Sequence, residues 1–196
     1  MNDIPLQLSS SRLHLVLAER PLRRQVMTGL TARLAQQGAV RLLDGGNSFD
    51  GYGLARLLHQ QTSNWRAMLE RVSVARAFTC YQMATLLAQT ESCPLPTLVL
   101  DLLDTFSDEN TPLSDRQRLL QQCLGHLQRL CQPAPVAVSV CLPAPSAQAA
   151  QLLEMLEAAV AQANGKAWSF SAATPSPPPT STCFQLCLIC AESRGH

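Results

Sequence analysis

Three arginines follow the first apolar run of the sequence, at the position where a nucleotide-binding domain carries its phosphate-binding loop. Residues 17–25 read LAERPLRRQ and place Arg20, Arg23 and Arg24 at the predicted start of a helix. A phosphate-binding loop needs glycines, whose backbone N–H groups wrap the oxygens, followed by a Lys and a Ser or Thr. This stretch has neither glycine nor lysine, so ordinary ATP hydrolysis is not expected. The arginines could instead hold a phosphate by their side chains, or form a solvated helix end that Glu19 partly neutralises.

Four aspartates form a second group with chemical potential. Asp44 and Asp50 follow one apolar run, and Asp101 and Asp104 lie at the end of another. If the two strands are neighbours, these carboxylates share one sheet edge and could bind Mg²⁺ in a phosphoryl-transfer enzyme or nuclease. No histidine or further glutamate joins them in the sequence. The alternative is that Asp44 and Asp101 only end their strands while the other two are solvated loop residues.

The composition fits one cytoplasmic α/β domain. The chain has 196 residues, of which 46% are hydrophobic and 15% charged. This length and hydrophobic fraction are enough to bury a core. The net charge of +1 provides no strong field for nucleic acid or an anionic membrane. The sequence contains no run of about 18 apolar residues, so no membrane-spanning helix is expected. The N-terminus lacks the order of a signal peptide, and most cysteines lie within apolar runs, which indicates reduced thiols.

Apolar runs alternate with amphipathic stretches, and this alternation predicts the elements that must position the arginines and aspartates. Strands are expected at 12–18, 40–44, 72–75, 97–103 and 136–141. Helices are expected at 22–36, 52–61, 81–90, 112–131 and 147–163, the fourth with Thr111 as its N-cap and Pro112 at its first position. Such alternation is typical of a three-layer, doubly wound, mostly parallel sheet.

The chain divides into four predicted parts. Residues 1–11 form a leader, and 12–170 form the α/β domain. A Pro/Ser/Thr linker at 171–182 is too rich in proline for a helix or central strand, and 183–196 supply a final core strand and tail. Cys183, Cys187 and Cys190 have the spacing of a radical-SAM iron–sulfur triad, but their apolar strand context predicts core packing instead.

Three segments then carry a family resemblance. Residues 42–49 read LLDGGNSF, residues 74–78 read VARAF with Gln82 shortly after, and residues 98–101 read LVLD. In order and spacing they resemble the RecA-type recombinases, on the branch of RadA and the eukaryotic strand-exchange proteins. They look like that family's second strand, its third strand with the Ala-Arg-Ala-Phe element, and its Walker B strand, whose aspartate holds the water shell of Mg²⁺. The resemblance covers roughly residues 12–141 and implies a RecA-like P-loop NTPase fold.

The sequence departs from that family at the residues of its chemistry. The phosphate-binding loop is missing, and the family's catalytic glutamate aligns with Gly46. The fifth strand leads into a Cys-Leu-Pro-Ala-Pro segment at 141–145 instead of a polar sensor and a long DNA-binding loop. The resemblance therefore implies the fold and an ancestry, and a degenerate member that has lost ATP hydrolysis and strand exchange.

Two sets of site residues follow from this. Arg76 is expected to form an ion pair with Asp44 or Asp101, or to face a partner subunit, while Phe78 is expected in the core and Gln82 in a structural or interface role. Gly45 and Gly46 could also form an anion-binding backbone nest. The candidate nucleotide- or phosphate-binding residues are Arg20, Arg23, Arg24, Asp44, Gly45, Gly46 and Asp101.

The sequence as a whole favours a pseudo-ATPase, a RecA-like binding protein that acts as an accessory in DNA recombination or repair. Its expected partner is another protein, either a recombinase or a second copy, with DNA as a further partner and no membrane. Weak binding of ATP or ADP with Mg²⁺ stays open. Two alternatives remain, a metal-dependent phosphoryl-transfer enzyme or nuclease using Asp44 and Asp101, and a purely structural docking scaffold.

Overall fold

Six parallel strands form one sheet in the order β3-β2-β4-β5-β1-β6. The computed structural model describes residues 8–9, 12–142, 144 and 146–170. The strands are β1 Leu13–Ala18, β2 Val40–Asp44, β3 Val72–Arg76, β4 Thr97–Leu100, β5 Val136–Cys141 and β6 Lys166–Phe170. The helices are α1 Arg20–Gln37, α2 Gly51–Gln61, α3 Trp65–Glu70, α4 Cys80–Gln89, α5 Leu113–Cys131 and α6 Ala147–Gln162, with a 3₁₀ turn at Leu102–Phe106.

Helices cover both faces of the sheet, as the predicted α/β class requires. The larger core joins α4, α5 and α6 to one face and includes Leu120, Leu127 and Leu156. On the other face α1 packs through Met27 and Leu30, and α2 and α3 pack beside it. Because both faces are covered, β1 and β4 are buried along their whole length and β5 along all but its last residue, and most of their side chains are apolar.

Most predicted bounds are within one or two residues of the observed ones, and four further differences concern a strand end, a helix cap and two missed elements. The strand predicted at 97–103 ends at Leu100, because Asp101 has a φ of 53° and turns the chain into the 3₁₀ turn. Helix α5 begins at Leu113 with Pro112 as its N-cap, one residue later than predicted, and Thr111 is not the cap. Helix α3 and strand β6 were not predicted. Both are short, and the exposed residues of β6 conceal the period of a strand.

Several predicted features lie outside the described residues. They are the linker at 171–182, the final strand and tail at 183–196 with its cysteine triad, and all of the leader except residues 8–9. Within the described part of the chain, every helix is too short or too polar to cross a bilayer.

Candidate functional site

The carboxyl edge of the sheet collects the predicted site residues. Strands β2 and β4 are hydrogen-bonded neighbours, so Asp44 at the end of β2 and Asp101 just after β4 lie at the same edge. Arg76 at the end of β3 is the register partner of Asp44. Arg23 lies in the first turn of α1, which follows the carboxyl end of β1, and its side chain reaches Asp101 at the same edge. Ligands of open α/β sheets bind at such an edge, so the candidate functional site lies here.

The connection from β1 to α1 consists of one residue, Glu19. Its backbone is extended, with φ −61° and ψ 151°, and its side chain makes no capping hydrogen bond. Its carbonyl oxygen accepts from the backbone N–H of Arg23 at 2.9 Å, so the helix starts at once. A loop able to wrap phosphates has no room between these two elements.

Arg23 occupies the crevice instead. Its guanidinium Nη2 lies 2.6 Å from Oδ2 of Asp101, and both side chains are buried. The hydroxyl of Ser139 on β5 donates to Oδ1 of Asp101 at 3.2 Å and accepts from the Asp101 backbone N–H at 3.1 Å. The carboxylate that the family resemblance assigns to Mg²⁺ is therefore held by an internal cation and a hydroxyl. A buried arginine is also at odds with a solvated helix end.

The pKa of Asp101 is raised above its ordinary value of 3.8, with burial as the largest cause and the nearby carboxylate of Asp104 adding to it. The guanidinium of Arg23 and the hydroxyls of Ser48 and Ser139 oppose this rise without cancelling it. Nη1 of Arg23 is buried and has no hydrogen-bond partner among the described residues. The free space beside it is about 10 Å³, near the minimum for one water molecule. The crevice thus contains an unsatisfied donor and almost no free volume.

Asp44 organises the loop that follows β2. Its carboxylate accepts from the backbone N–H groups of Ser48 at 2.9 Å and Phe49 at 3.2 Å. Nε of Arg76 lies 3.3 Å from the same Oδ2 that accepts from Phe49, so Arg76 pairs with Asp44, one of its two expected partners. These contacts fix residues 44–49 and leave Asp44 few lone pairs for a metal ion.

The two glycines of this loop serve close packing. The N–H of Gly45 donates to the Leu100 carbonyl at 2.7 Å, so it is not available to an anion. A Cβ added at Gly46 would lie 2.5 Å from Cβ of Asp101 and 2.8 Å from its Oδ2. Neither glycine has a positive φ. The loop therefore needs glycine because it lies directly on Asp101.

The acidic residues do not converge on a metal site. Asp50 caps α2, since its Oδ1 accepts from the N–H of Gly53 at 2.7 Å. Asp104 is half-buried near Gly46. Across the described ranges, no three His, Cys, Asp or Glu side chains are grouped in a way that could hold a metal ion.

The remaining predicted residues lie at the surface. Arg20 and Arg24 are exposed on α1. Phe78 was expected in the core, and this prediction is wrong, because its side chain is 64% exposed. The chain turns outward after the edge strand β3, and the Phe78 N–H donates to Oε1 of Gln82 at 2.9 Å. The Gln82 N–H in turn donates to the hydroxyl of Thr79, the N-cap of α4. Gln82 therefore holds the start of α4 as in a capping box, except that its side chain accepts from the residue before the cap.

Ser139 is the site residue that sequence reasoning missed. It is a lone hydroxyl in the otherwise apolar run VAVSVC of β5, and a buried hydroxyl there requires a partner. That pattern was a usable signal, although it could not identify Asp101 as the partner.

Residues 12–142 thus place a buried arginine–aspartate pair at the carboxyl edge of the sheet, where the family resemblance would put a nucleotide. In comparison with known proteins, the sequence matches no protein-family model and no curated protein.

Proposed function

We propose that this chain is a non-hydrolytic, RecA-like binding protein that serves as an accessory in DNA recombination or repair by docking on another protein. The observation that carries this proposal is the buried Arg23–Asp101 pair. It fills the crevice with a cation from the protein itself and engages the carboxylate that the resemblance assigns to Mg²⁺. The recombination context rests on the resemblance of residues 42–49, 74–78 and 98–101.

The free edge of β3 supports docking. Strand β3 is an outer strand and pairs only with β2 in the described sheet. A strand edge presents unpaired backbone N–H and C=O groups, which an extended segment of another chain can pair with. Val74 in this strand is 40% exposed, and the following residues add Phe78 and Tyr81, at 64% and 51%. Large exposed apolar side chains beside an open edge are typical of an interaction surface.

A groove runs beside this edge. It has a volume of about 360 Å³ and lies between β3 and the end of α4. Leu43, Val74 and Leu86 supply apolar surface, while Arg41 and Glu91 add charges. This arrangement fits an extended segment with apolar side chains from a partner, for which the resemblance nominates a RecA-type recombinase of the same organism.

Catalysis is tested by turnover and thermal unfolding with Mg-ATP, Mg-ADP and single-stranded DNA with Mn²⁺. We expect no ATP turnover and no DNA cleavage above a blank, because Asp101 is engaged by Arg23. Nucleotide should leave Tm unchanged, whereas a ligand at a hundred times its Kd would add about 2.7 kcal/mol. Turnover near that of an active recombinase would contradict the proposal, and metal-dependent cleavage lost in Asp101→Asn would favour the enzyme alternative.

Docking is tested by biolayer interferometry against the recombinase. Replacing Phe78 and Tyr81 together by alanine should weaken the complex at least tenfold, since exposed aromatic side chains dominate such interfaces. The Phe78 backbone N–H that donates to Gln82 is retained in this variant. Tyr52→Ala is the matched control, because Tyr52 is 81% exposed on the other helical layer. Failure of the wild-type chain to bind, or equal loss in the control, would contradict docking at β3.

A further inference from the structure

The outer face of α2 carries aromatic and cationic side chains at helical spacing. Tyr52, Arg56 and His59 are four and three residues apart, so they lie on one face of the helix. All three are exposed, and Tyr52, at 81%, is the most exposed large hydrophobic side chain of the described residues. This face points away from the sheet, since α2 packs inward through Leu54 and Leu58.

Helix α3 extends the same surface. The ring of Trp65 meets that of His59 edge to face, with centroids 5.7 Å apart. The guanidinium of Arg66 lies 5.0 Å from the centroid of the Trp65 ring, in a cation–π contact. Tyr52, Arg56, His59, Trp65 and Arg66 thus form one continuous strip, named here the α2–α3 stripe.

The charge of this stripe is positive and uncompensated. Neither Arg56 nor Arg66 takes part in any ion pair found in the described part of the chain. The acids nearest in sequence are Asp50, which caps α2, and Glu70 at the end of α3. A local cationic surface therefore exists on a chain whose net charge is only +1.

We propose that the α2–α3 stripe binds single-stranded nucleic acid. Unpaired bases stack on exposed aromatic rings irrespective of their sequence, and arginines contact the intervening phosphates. Two flat rings and an imidazole among five side chains favour bases over an acidic peptide, which offers carboxylates but no flat faces. This inference goes beyond the proposed function, because the stripe lies on the helical layer opposite α4 and its Tyr81.

The test is fluorescence anisotropy with labelled oligothymidylate and oligouridylate of about ten nucleotides, a length within the site sizes of such proteins. We expect a Kd of about 10⁻⁴ to 10⁻⁶ M at moderate salt. With two phosphate contacts, log affinity should fall against log salt with a slope of about −1.4. Replacing Arg56 and Arg66 by alanine should remove most of this slope and weaken binding at least tenfold. Equal affinity for both oligomers would assign recognition to bases and phosphates rather than to the 2′-hydroxyl.

Stacking has a readout of its own. In a Trp168→Phe variant Trp65 is the sole tryptophan of the chain, and the oligomer should quench its fluorescence. Because Trp65 also packs in the core between α2 and α3, Tyr52→Ala tests stacking without disturbing that packing. Its affinity should fall about fivefold or more.

Tyr81→Ala and Arg118→Ala are the controls, since both residues are exposed elsewhere and should leave affinity unchanged. Three results would overturn the proposal. They are no binding by the wild-type chain, equal losses in the control variants, and displacement of the oligomer by polyglutamate with no quenching of Trp65, which would assign the stripe to an acidic protein. None of these results bears on docking at β3, so the two proposals can fail separately.

Discussion

Replacing Arg23 by methionine is expected to lower the free energy of unfolding by about 3 to 5 kcal/mol at pH 7.5, the usual cost of removing one partner of a buried ion pair. In the variant Asp101 stays buried but loses the guanidinium of Arg23, which lies 2.6 Å from its Oδ2 in the wild-type protein. Methionine fills most of the space, so the loss reports charge rather than a cavity. For a chain of this size, Tm should fall by about 6 to 20 °C, as measured by calorimetry or circular dichroism.

Two variants isolate the ion pair as the cause. Arg24→Met removes the neighbouring arginine, which is exposed, and should change the free energy of unfolding by less than about 0.5 kcal/mol. The double variant Arg23→Met with Asp101→Asn removes both charges, and asparagine tolerates the left-handed backbone at position 101. It should recover most of the lost stability. A double variant as unstable as Arg23→Met would show that Arg23 acts through packing alone.

The loss in Arg23→Met should depend on pH. Burial raises the pKa of Asp101, and Arg23 is the strongest influence that opposes this rise. Without Arg23 the pKa rises further, so the folded state holds a proton that the unfolded chain releases at about pH 3.8. The stability of the variant therefore falls as pH rises from 3.8, the pKa of Asp101 in the unfolded chain, to its higher pKa in the folded state. The deficit relative to Arg24→Met should therefore be smallest near pH 4 and should grow toward pH 8.

Gly46→Ala is expected to be the second most damaging substitution at the site, by about 1 to 3 kcal/mol. The new Cβ would lie 2.5 Å from Cβ of Asp101, an atom close to the backbone that cannot rotate away. Either the loop or the strained turn at Asp101 must move, and the Arg23 contact would be disturbed with it. Chemical denaturation with urea measures the change.

Gly125→Ala is the matched control. A Cβ at Gly125 meets nothing within 4 Å, and the residue lies in the middle of α5. Alanine there should stabilise the chain by up to about 1 kcal/mol through helix propensity. If Gly46→Ala were as mild as this control, the loop would not be pressed against Asp101, and a role for Gly46 in holding an anion would gain weight.

The sequence predicted the alternating elements and the shared sheet edge of Asp44 and Asp101, because buried parallel strands are continuous apolar runs. It also predicted that Arg76 would pair with Asp44 or Asp101, and the structure shows the pair with Asp44. The burial of Arg23 was not predicted, although Arg23 has the helical spacing of Met27, Leu30 and Leu34 on the buried face of α1. The period places Arg23 on that face, but an arginine at the end of a helix is ordinarily solvated, and its buried partner Asp101 is remote in sequence. Phe78 was misplaced because an apolar residue after a strand is core or surface according to whether that strand is an edge.

The single-residue junction at Glu19 bears on whether a phosphate-binding loop could be introduced into this fold. A phosphate-binding loop spans several residues, so point substitutions alone cannot restore it between β1 and α1. An insertion would push Arg23 away from Asp101 and expose the chain to the destabilisation expected of Arg23→Met before any phosphate could compensate. If the proposed function is right, the exposed surfaces can change without affecting the Arg23–Asp101 pair. Any change that opens a phosphate site between β1 and α1 must instead pass through a less stable protein.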